Sequence, residues 1–325
     1  MRWSRERMSF ALKRGGEAWI AHDELITGKR LQALAGLSLV SRASYEQAMA
    51  SYDFHLRLRA HVPRLVIYDD PTQLDLRDLS QRSSLFVYTH VLDDFKQHVW
   101  PHLDGTGHVL MTHNSDLEVG DADRPLLDDP RLAAWFAQNA LIDHPKLVPL
   151  PIGIANAMWK HGNLDVLHRA IVRGQHSERS ELVFLHFNPA TYAGRQPIWD
   201  ALRKNFPHIP ATPAASKGYK HYLADLARHR FCVAPRGNGV DTHRVWECLY
   251  LGVTPIVERS THTEHWERLG LDILVIDDWA QVTPAFLEEA QRKRPAPAAG
   301  NREPLTLSHY ARLVDGAIAS TEPAR

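Results

Sequence analysis

A chain of 325 residues is long for one domain and comfortable for two. Apolar residues make up 44% of the chain and charged residues 23%, which is ordinary for a globular protein with a hydrophobic core. Lys plus Arg equals Asp plus Glu at 38 each, so no net charge draws the chain onto nucleic acid, and we predict no nucleic-acid partner.

The two cysteines, Cys232 and Cys248, are too few for a disulfide scaffold and predict a cytoplasmic location. The first residues, "MRWSRERMSFALKRGG", are basic but lack the apolar core of a signal peptide. No window approaches the roughly 18 consecutive apolar residues of a membrane span. We therefore predict no transmembrane segment, and the basic N-terminus is either solvated or in peripheral contact with a membrane.

Short apolar runs alternate with helical or loop-like stretches in the first half of the chain. Four segments each hold a β-rich run, followed by polar or turn residues, that predicts a strand: "RLVIYDD" (64–70), "SLFVYTH" (84–90), "HVLMTHNSD" (108–116) and "KLVPLPIG" (146–153). Two segments between them predict helices: "DDFKQHVW" (93–100) and "PRLAAWFAQNA" (130–140). Strands separated by helices are typical of a parallel α/β sheet.

A polar stretch rich in His and Arg, from Asn156 to about Ser180, predicts a connection between two domains. After it the alternation resumes. Strands are predicted at 181–187, 231–235, 253–257 and 271–277, and helices at 195–206, 219–230, 242–252 and 284–294. The segment "PAPAAG" (295–300) predicts a linker before a last helix near 305–318.

This order predicts an α/β protein with two Rossmann-like domains and a cleft between them. The predicted divisions are an N-terminal domain at 1–155, a connection at 156–180, a C-terminal domain at 181–300 and a C-terminal helix at 301–325. In open parallel sheets, ligands bind outside the carboxyl ends of the strands, and the polar clusters of both halves follow strands.

One segment, "FCVAPRGNGVDTHRVWECLYLGVTPIV" (231–257), carries unusual chemistry. Gly237 and Gly239 permit a close backbone approach, and Asp241 is the expected N-cap of the helix behind them. A glycine-bearing loop at a helix N-terminus favours phosphate binding. The loop is neither a P-loop, because no Lys-Ser/Thr follows, nor the dinucleotide fingerprint.

Arg244 and Glu247 lie three residues apart in a helix that is otherwise apolar nearly all round. A buried carboxylate needs donors, so two interpretations stay open. The pair forms an internal salt bridge, or Arg244 binds a diphosphate while Glu247 accepts from the two hydroxyls of a ribose.

The same segment resembles the donor-binding segment of exostosin-like (family 47-type) glycosyltransferases and, more distantly, that of α1,3-fucosyltransferases. The shared pattern is a strand, Pro-Arg-Gly, a polar loop, Thr/Ser-x-Arg, a helix with Glu, and Gly-x-x-Pro-Ile-Val. "LVFLHFNPATYAGRQPIW" (182–199) resembles the first strand and loop of such donor domains, and "VPLPIGIANAMW" (148–159) and "MTHNSD" (111–116) also resemble family segments. The resemblance covers roughly 105–280.

This resemblance implies a GT-B fold that binds a nucleotide-sugar, UDP- or GDP-linked, in the C-terminal half and needs no cofactor. It also implies a last helix that crosses back onto the N-terminal half, and an acceptor that is a glycan or another hydroxyl compound. The donor residues it implies are Asn188, Thr191, Arg195, Arg236, Gly237, Asn238, Gly239, Asp241, Thr242, Arg244 and Glu247. For Asn188 and Thr191, capping of the helix near Arg195 stays an alternative.

Such enzymes typically use no metal in the site, and the sequence favours none. Asp121-Ala-Asp123 lies in a polar loop away from any predicted strand end. The two histidines of "HTEH" (262–265) have no evident third ligand, and a helix N-terminal turn is the expected structure.

A transferase that inverts the anomeric centre needs a base for the acceptor hydroxyl, and we expect it on the N-terminal half. Asp116 is the first candidate and His113 the second, because both follow a predicted strand. Asp93 and Asp94 compete, although helix capping suits them better. Two alternatives remain for the function: an enzyme of this architecture that uses another activated phosphate donor, and a non-catalytic nucleotide- or carbohydrate-binding protein.

Overall fold

The computed structural model describes residues 20–42, 65–70, 74–75, 79, 84–174, 178–208, 218–294 and 301–321. Within these ranges the strands form two sheets, one of six strands and one of four, and every strand pair is parallel. This mixed α/β architecture is consistent with the two Rossmann-like domains predicted from the alternation of strands and helices.

The six-stranded sheet is built from the first part of the chain. Its strands are β1 (Leu37–Ser41), β2 (Leu65–Tyr68), β3 (Ser84–Tyr88), β4 (His108–His113), β5 (Leu132–Gln138) and β6 (Leu147–Leu150). They lie in the order β2-β1-β3-β4-β5-β6. Among the described residues, helices α1 (Gly28–Gln32), α2 (Leu92–His98) and α3 (Arg124–Leu127) accompany them. The strands predicted within 64–70, 84–90, 108–116 and 146–153 and the helix predicted at 93–100 are confirmed.

The helix predicted at 130–140 is wrong, because Leu132–Gln138 forms strand β5 between β4 and β6. Almost every residue of β5 is buried, as expected for a central strand of a parallel sheet covered on both faces. Such a strand has no polar alternation, so its apolar run cannot be told from a helix by periodicity. The correction matters because it moves Asn139 to the carboxyl edge of the sheet.

The C-terminal helix packs on the six-stranded sheet. This helix, α10 (Leu307–Ala319), buries Tyr310 and Val314 in one cluster with Phe86, Met111 and Phe136 from three of the strands. The chain therefore returns to its N-terminal half after completing the second sheet. Thr306 caps the helix by accepting the His309 N–H at 3.3 Å.

The four-stranded sheet is built from the second part of the chain in sequential order. Its strands are β7 (Glu181–Phe184), β8 (His229–Val233), β9 (Thr254–Glu258) and β10 (Leu274–Ile276). Helices α4 (Leu164–Gly174), α5 (Arg195–Asn205), α6 (Tyr219–Leu226), α7 (His243–Leu251), α8 (Thr261–Arg268) and α9 (Pro284–Lys293) surround it. The strands and helices predicted in this part are confirmed, but α4 lies within the stretch predicted as a connection.

Helix α7 lies in the middle of this half, and its last seven residues are all buried. The indole ring of Trp246 packs edge to face against that of Trp266 in α8, with the ring centroids 5.2 Å apart. The helix ends at Gly252, whose φ of 68° is left-handed, and the Val253 N–H closes the turn on the Cys248 carbonyl. This arrangement anchors the helix and so fixes the loop that precedes it.

All strands of the first sheet precede residue 155, and those of the second lie between 181 and 300. The domain boundaries themselves stay predictions. The predicted linker at 295–300 and the basic segment at 1–16 lie outside the described residues. In the part of the chain that the structure describes, no helix has the length and apolar character to cross a membrane.

Candidate functional site

The loop between β8 and α7 joins the two halves through Asp241. Its carboxylate accepts the main-chain N–H of Ile152 at 2.7 Å and the Trp246 Nε1–H at 3.0 Å, and the residue is 4% exposed. Asp241 was expected to cap α7, but the N-cap is Thr242, whose side chain makes no capping bond. The carboxylate of Asp241 therefore does not cap the helix. Through its bond to the Ile152 N–H it holds the loop to the N-terminal half.

Asn139 organises the loop from the opposite side, and the sequence did not single it out. Its Oδ1 accepts the Asp241 N–H at 3.1 Å, and its Nδ2 lies 3.3–3.4 Å from the carbonyl oxygens of Ser115, Asp116 and Leu117. Asn139 has a φ of 54°, a left-handed conformation that Asn tolerates better than most residues. One buried amide thus ties the loop after β4 to the loop after β8.

The two glycines of the loop have different roles. A Cβ at Gly239 would lie 2.7 Å from Asn139 Nδ2, so this glycine permits close contact between the halves. A Cβ at Gly237 would lie 3.4 Å from Arg195 Nη2 and 3.8 Å from Thr242 Cγ2. The Gly237 N–H donates to the Gly239 carbonyl at 3.0 Å and is therefore committed within the loop. Of the two glycines, only Gly237 lies beside the predicted cationic groups.

Two side chains of the loop reach across to the N-terminal half. Arg236 forms an ion pair with Glu118 at 2.7 Å, and its guanidinium lies over the Tyr192 ring at 4.8 Å. The exposed Asn238 donates through Nδ2 to Asp116 Oδ2 at 3.4 Å. Asp116 therefore lies at the boundary between the halves, facing the loop predicted to bind the donor.

Arg244 and Glu247 do not form a direct ion pair, since the Tyr222 hydroxyl connects them. Tyr222 Oη donates to Glu247 Oε2 at 2.9 Å and accepts from Arg244 Nε at 3.3 Å. Tyr222 lies in the helix predicted at 219–230, which is α6 in the structure. A tyrosine in a helical apolar pattern does not reveal where its hydroxyl will point, so this link was missed.

Glu247 is 4% exposed, and burial raises the pKa of its carboxyl to about 7. The charge of Arg244 and the hydrogen bond from the Tyr222 hydroxyl act in the opposite direction and limit the rise. Glu247 therefore changes its charge near neutral pH. In its ionised form it is an acceptor that a pair of ligand hydroxyls can satisfy.

Arg195 lies 7% exposed at the start of α5 and bonds only to backbone carbonyls among the described residues. Its guanidinium donates to the oxygens of Arg236 at 2.6 Å, Pro235 at 2.9 Å and Asn188 at 3.3 Å. Burial and the nearby charge of Arg244 lower the pKa of Arg195 to about 10. Neither Arg195 nor Arg244 has a carboxylate within ion-pair distance in the part of the chain that the structure describes.

Three further predicted donor residues are Thr191, Thr242 and Asn188, and the Asn188 carbonyl accepts from Arg195. Asn188 is exposed and caps a short turn, Pro189–Thr191, by accepting the Ala190 N–H at 3.0 Å. The capping alternative for Asn188 is thus realised at this turn, ahead of α5 and not on it. Thr191 is exposed on the same turn. The Thr242 hydroxyl is buried and has no hydrogen-bond partner among the described residues.

The two candidate bases differ in their surroundings. Asp116 is exposed at the boundary between the halves. His113 is 1% exposed, its Nε2 lies 2.9 Å from the Pro151 oxygen, and its Nδ1 accepts the Asn114 N–H at 2.7 Å. Burial lowers the pKa of His113 to about 4. With both ring nitrogens committed to the backbone, His113 is suited to holding the loop in place and not to accepting a proton from a substrate.

Asp93 and Asp94 lie in the first turn of α2, whose N-cap is Val91, so neither is the capping residue expected. Asp93 pairs with Lys96 at 2.7 Å, and Asp94 accepts from the Tyr68 hydroxyl at 3.1 Å. Both carboxylates thus have partners on the N-terminal half. These contacts favour a local structural role over that of the base.

A second polar group lies on the N-terminal side and was also missed. Asn156 accepts the Lys29 N–H at 2.9 Å and donates to Asn114 Oδ1 at 2.9 Å. Lys29 Nζ contacts Tyr88 Oη and donates to Gln32 Oε1 at 2.9 Å. Burial holds the pKa of Lys29 well below its usual value. These residues follow or border β3 and β4, at the same sheet edge as Asp116.

A cavity of about 460 Å³ lies at the carboxyl ends of β8 and β9. Of the predicted donor residues, only Arg236 and Asp241 line it, whereas Arg244 and Glu247 face Tyr222. Val245, which lies between Arg244 and Glu247 in the sequence, lines the cavity. The site therefore has two parts on either side of the loop: a cationic part around Arg195 and Arg244, and the cavity.

The carboxylates that raised the question of a metal have other partners. Asp123 accepts from Lys96 at 2.8 Å and from the Gly120 N–H at 2.9 Å, and Asp121 pairs with Arg124 at 2.8 Å. His262 and His265 lie in α8, as the expected helix turn. Among the residues described, no group of three His, Cys, Asp or Glu side chains is arranged to bind a metal ion. A metal-free site stays a prediction.

No family model matches the chain, and no curated protein matches it. The arguments for a function therefore come from the site itself.

Proposed function

We propose that the protein is a glycosyltransferase of the GT-B type. It would transfer a sugar from a UDP- or GDP-linked donor to a glycan or another hydroxyl acceptor, with inversion of the anomeric centre and without a metal ion. The resemblance of 231–257 to exostosin-like donor segments suggests this class. The geometry of the same segment supplies the chemical support.

One observation carries the proposal. Burial and the nearby charge of Arg244 lower the pKa of Arg195, and neither guanidinium group is paired with a carboxylate among the described residues. Two such cations repel each other in a medium that screens weakly. A diphosphate would neutralise both, and guanidinium groups suit phosphate oxygens in geometry and charge.

Glu247 supports a nucleotide over a simple phosphate ester. Its carboxylate lies next to Arg244 through the Tyr222 hydroxyl, so a ligand whose phosphate contacts Arg244 would bring its next groups toward Glu247. Vicinal ribose hydroxyls are two donors spaced to bind one carboxylate. The buried Thr242 hydroxyl offers a further bond to the same ligand.

The transfer step requires a proton acceptor and a stabilised leaving group. In the proposed step the acceptor oxygen forms a bond to the anomeric carbon, its proton passes to the Asp116 carboxylate, and the bond between that carbon and the phosphate oxygen breaks. Arg195 and Arg244 would stabilise the negative charge that develops on the departing diphosphate. Asp116 suits the base role because its carboxylate faces the loop from the opposite half.

Thermal shift with a panel of UDP-, GDP- and CMP-sugars tests the proposal. We expect one nucleotide class to stabilise the protein, and Arg244→Ala and Glu247→Ala to remove that shift while the fold survives. Leu313→Ala, at an exposed position of α10, is a matched control that should keep it. If both site variants bind normally, the donor assignment fails. No shift with any nucleotide-sugar would favour another phosphate donor, and binding without transfer or donor hydrolysis would favour a non-catalytic protein.

A further inference from the structure

The cavity at the carboxyl ends of β8 and β9 has walls of two kinds. Its aromatic lining is Tyr192, Trp266 and Trp279, from three different segments of the C-terminal half. Its charged lining is two basic and two acidic side chains: Arg236, Arg259, Asp241 and Glu258. A volume of about 460 Å³ is in the range of small-ligand sites.

The balance of charge argues against a phosphate in this cavity. Arg236 is paired with Glu118, and Arg259 lies against Asp277, so neither cation is uncompensated. Asp241 and Glu258 add two acceptors that would repel an anion. The cavity therefore favours a neutral polar ligand, in contrast to the region around Arg195 and Arg244.

Three buried polar atoms in the cavity wall identify the kind of polar group. His262 is 1% exposed and neither of its ring nitrogens has a hydrogen-bond partner among the described residues, although Nε2 lies 3.5 Å from Asp241 Oδ2. Trp266 Nε1 is likewise buried without a partner there. Trp266 can only donate, whereas a neutral imidazole both donates and accepts. A hydroxyl group serves both needs, because it donates and accepts.

Aromatic faces next to hydroxyl-binding groups are the features that a sugar ring requires. The C–H faces of the ring pack on an indole or phenol, and its hydroxyls bond to carboxylates and ring nitrogens. We propose that this cavity binds one sugar ring. The inference rests on the proposed function, because the adjoining Arg236 connects the cavity to the loop predicted to hold the donor diphosphate.

The ring could belong to the donor or to the acceptor, and two variants separate these sources. Tyr192→Ala removes a partly exposed ring that the fold tolerates losing, since Tyr192 is 37% exposed. Trp266→Phe removes the Nε1–H while keeping an aromatic ring in the core. Leu313→Ala, on the exposed side of α10, is the control.

Calorimetric titration compares each nucleotide-sugar of the panel with its matching free nucleotide. If the ring is that of the donor, each cavity variant should weaken the nucleotide-sugar about three- to tenfold, the equivalent of one hydrogen bond or one stacking contact, with no change for the nucleotide. If the ring is that of the acceptor, both ligands should bind unchanged. Methyl glycosides of the same sugars should then show saturation transfer with the wild type that both variants reduce.

Equal weakening of the free nucleotide would overturn the proposal, because the cavity would then hold the base. Unchanged binding of both nucleotide-sugars and methyl glycosides by the variants would overturn it as well. If the wild type binds no nucleotide-sugar, the proposed function fails, and the methyl glycosides alone decide. Saturation transfer to the methyl glycosides that is seen with the wild type and lost in the variants would then support a sugar-binding cavity. Absence of saturation transfer with the wild type would reject it.

Discussion

The carboxylate of Asp241 accepts the Ile152 N–H at 2.7 Å, although the two residues are 89 positions apart. The same carboxylate accepts the Trp246 indole N–H at 3.0 Å. One buried side chain therefore positions the loop, the start of α7 and the end of the N-terminal sheet relative to one another. The position of Arg244 depends on this arrangement, because it lies in the first turn of α7.

Asp241→Ala should destabilise the protein strongly. The substitution leaves the Ile152 and Trp246 N–H groups buried without acceptors, which costs about 2–5 kcal/mol for the two together. Asp241→Asn keeps one acceptor oxygen and should cost about half as much. Urea unfolding monitored by fluorescence measures both, and equal stability of the alanine variant and the wild type would contradict the assigned role of Asp241.

Alanine at the two loop glycines should give different results. Gly239→Ala places a Cβ 2.7 Å from Asn139 Nδ2, an amide that is itself fully buried and held by several bonds. We expect a loss of about 1–3 kcal/mol, because the amide cannot move away freely. Gly237→Ala meets its nearest atom at 3.4 Å and serves as the control, with a change below about 1 kcal/mol. Urea unfolding of both variants checks this, and a Gly239→Ala variant as stable as Gly237→Ala would show that the halves are not packed closely there.

Local features of the donor segment could be predicted from the sequence, and contacts between distant segments could not. The helix boundary at Gly252 and the position of Arg244 and Glu247 follow from spacing and glycine chemistry over about ten residues. The partners of Asp241 depend on how two sheets meet, and no pattern in the loop specifies Ile152. The prediction that Asp241 caps α7 was wrong for this reason, because its carboxylate binds these distant partners.

One wrong secondary structure also concealed a site residue. With 130–140 predicted as a helix, Asn139 lies in a helix end, whereas in the observed strand β5 it follows the strand at the edge where ligands bind. Tyr222 shows a different limit. Its ring fits the helical spacing of α6, whereas its hydroxyl bonds to Glu247 and Arg244. Neither residue type is rare enough at such positions to mark it as functional.

Donor binding should become tighter as the pH rises through about 7. Burial raises the pKa of Glu247 to about 7, and only the ionised carboxylate accepts from both ribose hydroxyls. Below this pH the affinity should fall up to tenfold per unit, the limit for one titrating group. Glu247→Gln should bind weakly and without this pH dependence. Binding titrations of both proteins at about pH 5.5 to 8.5 test this prediction, because that range extends about one and a half units on either side of the pKa of Glu247.

The same shift affects stability with a definite sign. In the unfolded chain the Glu247 carboxyl ionises near its ordinary pKa of about 4.3. Between that value and about 7 the native state binds more protons, so the contribution of Glu247 to stability falls as the pH rises and is constant above 7. Glu247→Gln should therefore gain stability relative to the wild type across this window. The measurement is the difference in unfolding free energy between Glu247→Gln and the wild type at about pH 4 and about pH 8, which lie outside these pKa values. The same difference at both pH values would contradict a buried Glu247 that titrates.

The last prediction concerns the base. Asp116 is exposed and bonds across the boundary to Asn238, whereas His113 is buried with both ring nitrogens committed. Asp116→Asn preserves the shape but cannot take a proton, so transfer should slow about 10²–10⁴-fold while nucleotide-sugar affinity stays unchanged. Glu118→Gln, on the same loop, is the matched control. It breaks only the part-exposed pair with Arg236, worth about 0–1 kcal/mol, and should keep most of the activity. Initial rates of nucleotide release in the presence of acceptor distinguish the two variants. A fully active Asp116→Asn enzyme would exclude this residue as the base, and loss of donor affinity in that variant would assign it to binding instead.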